Sequence, residues 1–561
     1  MAIGALTLST ALTFFAAPGW AQGQGVAGSY LAARQAVIDG DHREAATYFE
    51  RAMRADPDNL ALRNNAVLAR AALGDWDDAL AVAARIPMET PGRDLANIVE
   101  QVDRIRNGEV SAALEAIDNR RGAGPLVDDL ARGWLHLGDG DFEAGAAILR
   151  DLAEEGPLAE IARYHLALLL GAVGDFEGAD AIFSGETYGP MTASVRGMHA
   201  HAQVLVQLGR AADALEMLEA ATAQVPDPGL LGLRDTLLEN SDRPYDFVVS
   251  AEQGVAEVFY SIARGLGTET GGPLALIYAR AAYVLSSDHT DAVILAAELL
   301  EQAGQLEIAA RTYRAVEPAD PLYVAAELGR ANALFELERE DAAIEVMETL
   351  ARDHPTNATV HASLGDLQRR LENWDAAIDA YTQALSLVDT EQPRYWFIFY
   401  TRGIAHERAG LWDQAEPDFR RALDLNPEQP QVLNYLGYSL VEQRRNFDEA
   451  LDMIERAVAA QPQSGYIVDS LGWVLYRLGR VEEAVEPMER AVELLPTDPI
   501  INDHLGDVYW TVGREREAEF QWLRALSFEP GAEDAERIRM KLEIGLDAVL
   551  EQEGGVGALV E

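Results

Sequence analysis

Residues 465–530 decide the fold of this chain and read GYIVDSLGWVLYRLGRVEEAVEPMERAVELLPTD followed by PIINDHLGDVYWTVGREREAEFQWLRALSFEP. Small residues and prolines recur in these two segments at a spacing of 34 positions. The recurring pairs are Gly472 with Gly506, Gly479 with Gly513, Ala484 with Ala518, Ala491 with Ala525 and Pro496 with Pro530. A fixed period of this length is typical of a solenoid whose unit is a pair of helices.

Each recurring residue type has a physical role in such a helix pair. Glycine and alanine let two helices approach closely, whereas Tyr509 and Trp522 fill the space between neighbours. Gly513 lies in the turn, where a residue without Cβ adopts a positive φ at little cost. Pro530 ends the second helix because it cannot donate to the helical hydrogen-bond ladder. The sequence therefore predicts an all-α chain of antiparallel helix pairs.

The pattern resembles the tetratricopeptide repeat (TPR) family. The last unit matches the family's Leu-Gly, Tyr, Gly, Ala, aromatic, Ala and Pro with Leu505, Gly506, Tyr509, Gly513, Ala518, Trp522, Ala525 and Pro530. The resemblance implies a superhelical solenoid, and the spacings along the chain allow about 13 helix-turn-helix repeats. A final segment, Ala532 to Glu543, has Ile538 and Leu542 on one face and is predicted to be a capping helix.

The regularity of the pattern divides the chain into five predicted segments. The register is lost after Pro228, and Asn240 to Tyr245 is typical of a connection. The segments are a signal peptide (1–21), a degenerate TPR solenoid (27–228), an irregular linker with an atypical helix pair (229–289), a C-terminal TPR solenoid (290–531), and a capping helix with a tail (532–561).

The N-terminus has the features of a secretion signal. An apolar run from Ala5 to Ala17 precedes a small-x-small site that ends at Ala21. The run is shorter than the roughly 20 residues that span a bilayer. No Lys or Arg precedes Arg34, which a start codon further upstream would explain; an undistinguished apolar leader is the alternative. We therefore predict a periplasmic protein.

Charge and cysteine content exclude several classes of function. The net charge is −48, from 93 acidic and 45 basic residues, which argues against nucleic acids and anionic membranes as partners. Basic protein segments are favoured instead, although an acidic surface also serves solubility. The absence of cysteine excludes disulfides, a thiol nucleophile and a lipid anchor on an N-terminal cysteine.

The sequence contains no recognisable catalytic motif. No HExxH, P-loop or nucleophile elbow is present, so we predict a protein that is not an enzyme and has no cofactor. Two groups could be metal ligands, namely His504 with Asp503 and Asp507, and His199 with His201. Packing within helices is the favoured interpretation, since no further ligand is placed nearby.

The TPR resemblance implies a concave protein-binding groove lined by the first helix of each repeat. Carried onto this sequence, the family's groove positions are Asn434, Tyr438, Tyr466, Asp469, Trp473, Tyr476, Arg477, Asp503, Asp507 and Trp510. Aromatic residues are common peptide anchors, and carboxylates among them favour basic partners. The alternative is that the aromatics pack between helices. A further apolar run, Tyr395 to Tyr400, is either a buried helix start or an exposed docking patch.

A closer resemblance rests on three short segments, residues 432–438, 469–473 and 502–507. They are similar to large TPR proteins of proteobacterial envelopes, which include adaptors that deliver cell-wall hydrolases to a carboxyl-terminal processing protease. Those adaptors are anchored through a lipidated cysteine, which this chain lacks. The resemblance implies a non-catalytic scaffold or adaptor. The alternatives are a self-assembling solenoid, forming a homo-oligomer, and a ligand-binding protein or enzyme with a site between Pro228 and Gly272.

Overall fold

The computed structural model describes residues 26–192, 194–224, 227–267 and 272–553. This part of the chain forms 31 α-helices and one short 3₁₀ helix, and it contains no strand, which confirms the predicted all-α fold. Contacts group the chain into two compact units, Met1–Val346 and Met347–Glu561. The predicted signal peptide lies outside the described residues, and the segment boundaries read from the sequence stay predictions.

The first unit is a succession of helices joined by short turns. Its helices are α1 (Val26–Ile38), α2 (His42–Ala55), α3 (Leu60–Leu73), α4 (Trp76–Ala83), α5 (Asp94–Arg106), α6 (Val110–Asp118), α7 (Pro125–Gly138), α8 (Phe142–Glu154), α9 (Ala159–Val173), α10 (Phe176–Phe183), α11 (Val195–Gln207), α12 (Ala211–Gln224), α13 (Pro228–Glu239), α14 (Ala251–Gly267), α15 (Pro273–Leu285), α16 (Thr290–Gln302), α17 (Leu306–Tyr313) and α18 (Tyr323–Glu336), while α19 (Glu340–Asp353) contains the boundary between the units.

Glycine followed by aspartate forms a recurring turn between paired helices. Gly140 and Gly174 have φ values of +87° and +84°, a region in which a residue without Cβ is favoured. The next residue, Asp141 or Asp175, then accepts a hydrogen bond from the N–H three positions on, at 3.1 and 3.0 Å. Each turn thus ends one helix and caps the next.

Helices α14 and α15 are the atypical pair within residues 229–289. They pack against α3, α5, α7 and α9, which are the first helices of four successive pairs. Gly254 permits this approach, because a Cβ at that position would lie 1.9 Å from the ring of Trp134. On α15, Tyr278 donates a hydrogen bond to the backbone carbonyl of Ala123 at 3.0 Å. Helices α14 and α15 therefore form a hairpin that fills the side of the first unit lined by α3, α5, α7 and α9.

The second unit continues the alternation of first and second helices. Its helices are α20 (Ala358–Arg370), α21 (Trp374–Ser386), α22 (Trp396–Arg408, preceded by the 3₁₀ helix Pro393–Tyr395), α23 (Trp412–Leu425), α24 (Pro430–Glu442), α25 (Phe447–Ala460), α26 (Gly465–Arg477), α27 (Val481–Leu494), α28 (Pro499–Thr511), α29 (Glu515–Ser527), α30 (Ala532–Ile544) and α31 (Leu546–Gln552).

The repeat glycine of each first helix in the second unit, which follows a leucine except at Arg402-Gly403, fits against a large side chain of the following helix. A Cβ on the glycine would lie between 2.4 and 2.8 Å from that side chain in every pair of the second unit. The facing residues are Gly365 and Tyr381, Gly403 and Phe419, Gly437 and Ile454, Gly472 and Met488, and Gly506 and Trp522. The small and large residues that alternate in the sequence thus contact each other within each helix pair.

The described part of the second unit ends in two helices, α30 and α31. On α30, Ile538 is fully buried, which agrees with the predicted capping helix. The sequence does not predict α31, a seven-residue helix that follows Gly545. Its apolar residues Leu546 and Val549 are buried, and a segment this short carries too little periodicity to be recognised from sequence.

Candidate protein-binding groove

The predicted groove residues lie on the first helices α24, α26 and α28, but they differ in exposure. Tyr466 is 61% exposed. Asp469, Tyr476, Asp503 and Asp507 are buried. Asn434, Tyr438, Trp473, Arg477 and Trp510 are half-buried. The positions assigned from the repeat pattern therefore divide into an accessible set and an enclosed set.

Asp469 binds a residue of the following repeat. Its two carboxylate oxygens lie 3.1 and 3.0 Å from Nδ1 of His504. Burial on its own lowers the pKa of His504, but the charge and hydrogen bond of Asp469 outweigh burial and raise it. Trp473 stacks on the imidazole with ring centroids 4.0 Å apart and an interplanar angle of 18°. The carboxylate is therefore used to join two neighbouring first helices.

Asp503 and Asp507 enclose Lys541 of α30. The ammonium Nζ lies 2.8 and 2.9 Å from the oxygens of Asp503 and 2.7 and 2.8 Å from those of Asp507. The lysine side chain is fully buried, and Trp522 donates its Nε1–H to Asp507 at 3.0 Å. Burial, and then repulsion by Asp507, raise the pKa of Asp503 although the ammonium opposes the shift.

The groove positions of the last repeat are covered by the C-terminal helices. Trp510 donates its Nε1–H to Asp547 of α31 at 3.3 Å, and a Cβ on Gly545 would lie 2.8 Å from its ring. The sequence places Asp503, Asp507 and Trp510 in an open groove, whereas the structure places them against α30 and α31. The acidic character predicted for the groove is thus largely neutralised at this end by residues of the same chain.

A patch of accessible residues remains on α24 and α26. We call Tyr438, Glu442, Tyr466, Trp473 and Arg477 the aromatic–arginine patch. Glu442 accepts hydrogen bonds from Trp473 Nε1 at 3.1 Å and from Arg477 Nη1 at 2.8 Å. The Arg477 guanidinium lies 6.0 Å from the centroid of the Trp473 ring. These contacts fix the orientation of two half-buried side chains, while Tyr466 projects into solvent.

The apolar run from Tyr395 to Tyr400 is divided between core and surface. Ile398 and Phe399 are buried, whereas Phe397 is 40% exposed. Phe397 precedes Gly403 by six residues, as Tyr466 precedes Gly472. It therefore occupies the groove position of α22, and this equal offset to the repeat glycine is the signal that could have identified it.

The histidines that were considered as metal ligands are engaged in packing and hydrogen bonds. His201 lies 2.8 Å from a carboxylate oxygen of Asp180, and the ring of His199 packs on Phe247 with centroids 5.0 Å apart. Among the described residues, no group of three or more His, Cys, Asp or Glu side chains has a metal-binding arrangement. In the same part of the chain, no helix has the length and apolar character needed to cross a bilayer.

Comparison with protein families gives matches along both units. Two models described as "Tetratricopeptide repeat" match, one over residues 36–102 and the other over residues 130–184, 294–358, 328–395, 400–464 and 439–499. Together these matches cover more than half of the chain. They include α24 and α26, which carry the aromatic–arginine patch.

The individual proteins that resemble this chain share a low sequence identity with it. The TPR repeat-containing protein PA4667 of Pseudomonas aeruginosa is 28% identical over 159 residues, which are 28% of this chain and 26% of that protein. A crystal structure of a tetratricopeptide repeat protein from Parabacteroides merdae is 18% identical with a TM-score of 0.38, covering 45% of this chain and 97% of its own. The APC/C hetero-tetramer Cut9–Hcn1 is 14% identical with a TM-score of 0.39, covering 92% and 96%.

Proposed function

Because this chain belongs to the tetratricopeptide repeat family, we propose that it is a non-catalytic scaffold that binds partner polypeptides at the aromatic–arginine patch. Proteins of this family are generally protein-interaction scaffolds. We propose further that it acts in the bacterial cell envelope, possessing no catalytic site of its own.

The observation that carries this proposal is the exposure of Tyr466 beside two ordered side chains. Tyr466 is 61% exposed on the same helix as Trp473 and Arg477. Tyrosine, tryptophan and arginine are the residue types that contribute most to binding energy at protein interfaces. Because Trp473 and Arg477 are already held by Glu442, a partner loses little side-chain entropy on binding them.

The location and the partners are proposed from the sequence. The apolar run from Ala5 to Ala17 supports export, and the resemblance to envelope TPR proteins supports a role as an adaptor. A carboxyl-terminal processing protease and cell-wall hydrolases are the proposed partners on that resemblance. The net charge of −48 favours basic surfaces on those partners, so binding is expected to weaken as salt rises.

Affinity capture with matched variants tests the proposal. The chain from Gln22 onward is immobilised, incubated with a periplasmic extract at low and moderate salt, and the retained proteins are identified by mass spectrometry. The Tyr466→Ala variant is expected to retain about tenfold less of a specific partner, which corresponds to the loss of an interface anchor. The Phe520→Ala variant is the control, because Phe520 is 62% exposed but lies on the second helix α29.

The recovery of partners by each variant distinguishes binding at the aromatic–arginine patch from binding at another surface of the protein. Equal recovery by wild type and Tyr466→Ala, or a loss confined to Phe520→Ala, would contradict binding at the patch. Recovery of the protein itself alone, with a mass that grows with concentration, would favour the self-assembling solenoid instead.

A further inference from the structure

The first unit contains a second candidate site, a cavity between α9, α11, α14 and α16. Its volume is about 560 Å³, which is large enough for several side chains of a peptide. The cavity belongs to the first unit, whereas the residues of the aromatic–arginine patch belong to the second. Tyr260, Ser261 and Arg264 of α14 contribute to its wall, so it lies partly within the segment that the sequence predicts to be irregular.

The apolar part of the wall joins two separate hydrophobic clusters. Ile161, Phe183 and Met191 pack against the large core of the first unit, whereas Met198 and Met217 pack against the smaller cluster of α11–α13. All five side chains are half-buried. Protein interiors are normally close-packed, so a gap of this size between two clusters leaves apolar surface for a ligand. Methionine side chains are flexible and polarisable, which suits them to apolar partners of differing shape.

The floor of the cavity is a fixed set of charged groups. Arg196 donates from Nε to Glu257 at 3.0 Å and from Nη2 to its second oxygen at 2.6 Å. Tyr164 and His289 also contact that carboxylate, at 2.8 and 3.1 Å. Burial opposes ionisation of Glu257, but Arg196 lowers the pKa of this carboxyl well below its usual value. The floor is therefore rigid, and its hydrogen bonds are made within the chain.

The charges around the cavity favour a cationic group in the ligand. The lining contains four carboxylates against two guanidinium groups; the carboxylates are Glu160, Asp227, Glu257 and Asp291, and the guanidinium groups are Arg196 and Arg264. Glu160 is exposed at the edge, where its side chain accepts the N–H of Thr192 at 2.8 Å. Hydrogen bonds from Thr192 lower the pKa of Glu160, so its carboxylate is ionised near neutral pH.

We propose that this cavity is a second peptide-binding site, which takes an apolar side chain of a partner against Met191, Met198 and Met217 and pairs an adjacent Arg or Lys with Glu160. The inference rests on the proposed scaffold function, since it assumes that the ligand is a polypeptide. It gives the chain two recognition sites, one in each unit, that differ in chemistry. The aromatic–arginine patch presents exposed aromatic surface, whereas the cavity selects a basic residue next to an apolar one.

Gly197 offers a way to fill the cavity. It is the third residue of α11 and lines the cavity, and a Cβ there would meet Ser194 Oγ at 3.0 Å and Tyr164 Cε2 at 3.9 Å. Gly197→Leu would place a branched side chain in the space. Gly28→Leu is the matched control, because Gly28 is also the third residue of its helix, α1, and has no neighbour within 4 Å of a built Cβ.

The test selects peptides from a phage-displayed library of random dodecamers on the full chain, with the Gly197→Leu variant for counter-selection. Enriched peptides are synthesised with a fluorescent label and their affinities measured by anisotropy. We expect sequences with an apolar residue beside Arg or Lys. Their affinities should fall at least tenfold in Gly197→Leu, be unchanged in Gly28→Leu, and fall about fivefold in Glu160→Gln. Circular dichroism checks that each variant keeps its helix content.

Four outcomes would overturn the inference. The first is that no peptide is enriched, the second that enriched peptides lack basic residues, and the third that wild type and both the Gly197→Leu and Glu160→Gln variants bind with equal affinity. The last is that every peptide loses binding in the Tyr466→Ala variant alone. The last outcome would assign all peptide binding to the patch and leave the scaffold function standing. Because Glu160 is exposed, its variant remains informative if Gly197→Leu fails to fold. An absence of enriched peptides would refute the cavity site only. The scaffold function would still be tested separately, by affinity capture from the periplasmic extract.

Discussion

Replacement of Lys541 by methionine should loosen the end of the second unit. The substitution keeps the length and apolar stem of the side chain but removes the ammonium between Asp503 and Asp507. Two buried carboxylates, which are held by four contacts of 2.7–2.9 Å in the intact protein, would then lose their direct cation and keep only the more distant guanidinium of Arg537, at 3.9 and 3.7 Å. Removing one member of a buried ion pair typically costs about 3–5 kcal/mol.

This energy should appear as local opening of α30. In a solenoid each repeat contacts only its neighbours, so the loss stays at the end of the chain. A cost of about 3–5 kcal/mol corresponds to a rise of about a hundredfold to a few thousandfold in the opening equilibrium. Burial raises the pKa of Asp503 and the ammonium opposes that shift, so protonation of Asp503 becomes easier once the ammonium is removed. The loss of stability of α30 in Lys541→Met should therefore be larger at pH 8 than at pH 5.

Hydrogen exchange measured by mass spectrometry on peptides from α28 to α31 provides the assay. Arg539→Met is the matched control, since Arg539 is exposed on the same helix and its loss should change exchange little. Adding Asp503→Asn and Asp507→Asn to the methionine variant should recover much of the protection. Unchanged exchange of α30 in Lys541→Met, at both pH values, would refute the account of the ion cluster.

Three further predictions concern packing and charge elsewhere in the chain. Gly506→Ala should lower stability by about 1–3 kcal/mol in urea denaturation, because its Cβ would lie 2.4 Å from the facing tryptophan; Gly513→Ala, with open space but φ +81°, should cost about 1 kcal/mol. NMR titration should give His504 a pKa above its usual value and a lower one in Asp469→Asn; the stabilisation is complete below the unfolded pKa and disappears as pH rises through the folded pKa. Glu257→Gln should lower the melting temperature, since it leaves the half-buried guanidinium of Arg196 with Asp291 but without its main partner, at a cost of about 3 kcal/mol.

The regular spacing of small and large residues was sufficient to predict the helix pairs. Gly472 and Gly506 are recognisable because each must face a side chain on the following helix, and this requirement repeats with the period of the solenoid. The packing of α14 against α7 was not predictable in the same way. Gly254 faces Trp134 across a long separation in the chain, and no local pattern records that contact.

The candidate site was predictable in position but not in environment. The repeat register correctly places Asp469 and Asp503 at equivalent points of successive first helices. It does not show that each carboxylate binds a side chain two helices further along the chain, His504 of α28 in one case and Lys541 of α30 in the other. Exposure depends on what packs against a position, and for Asp503 that is a helix outside the repeat pattern.

The burial of Lys541 has a practical consequence, because it is the single lysine of the chain. Apart from the α-amino group, amine-directed acylation and cross-linking reagents have no other target, and a lysine-specific endopeptidase has one cleavage point. Each of these reactions requires α30 to leave its place. The rate at which the native protein is acylated or cut at Lys541 therefore measures how often α30 detaches from the second unit. This measurement requires no label.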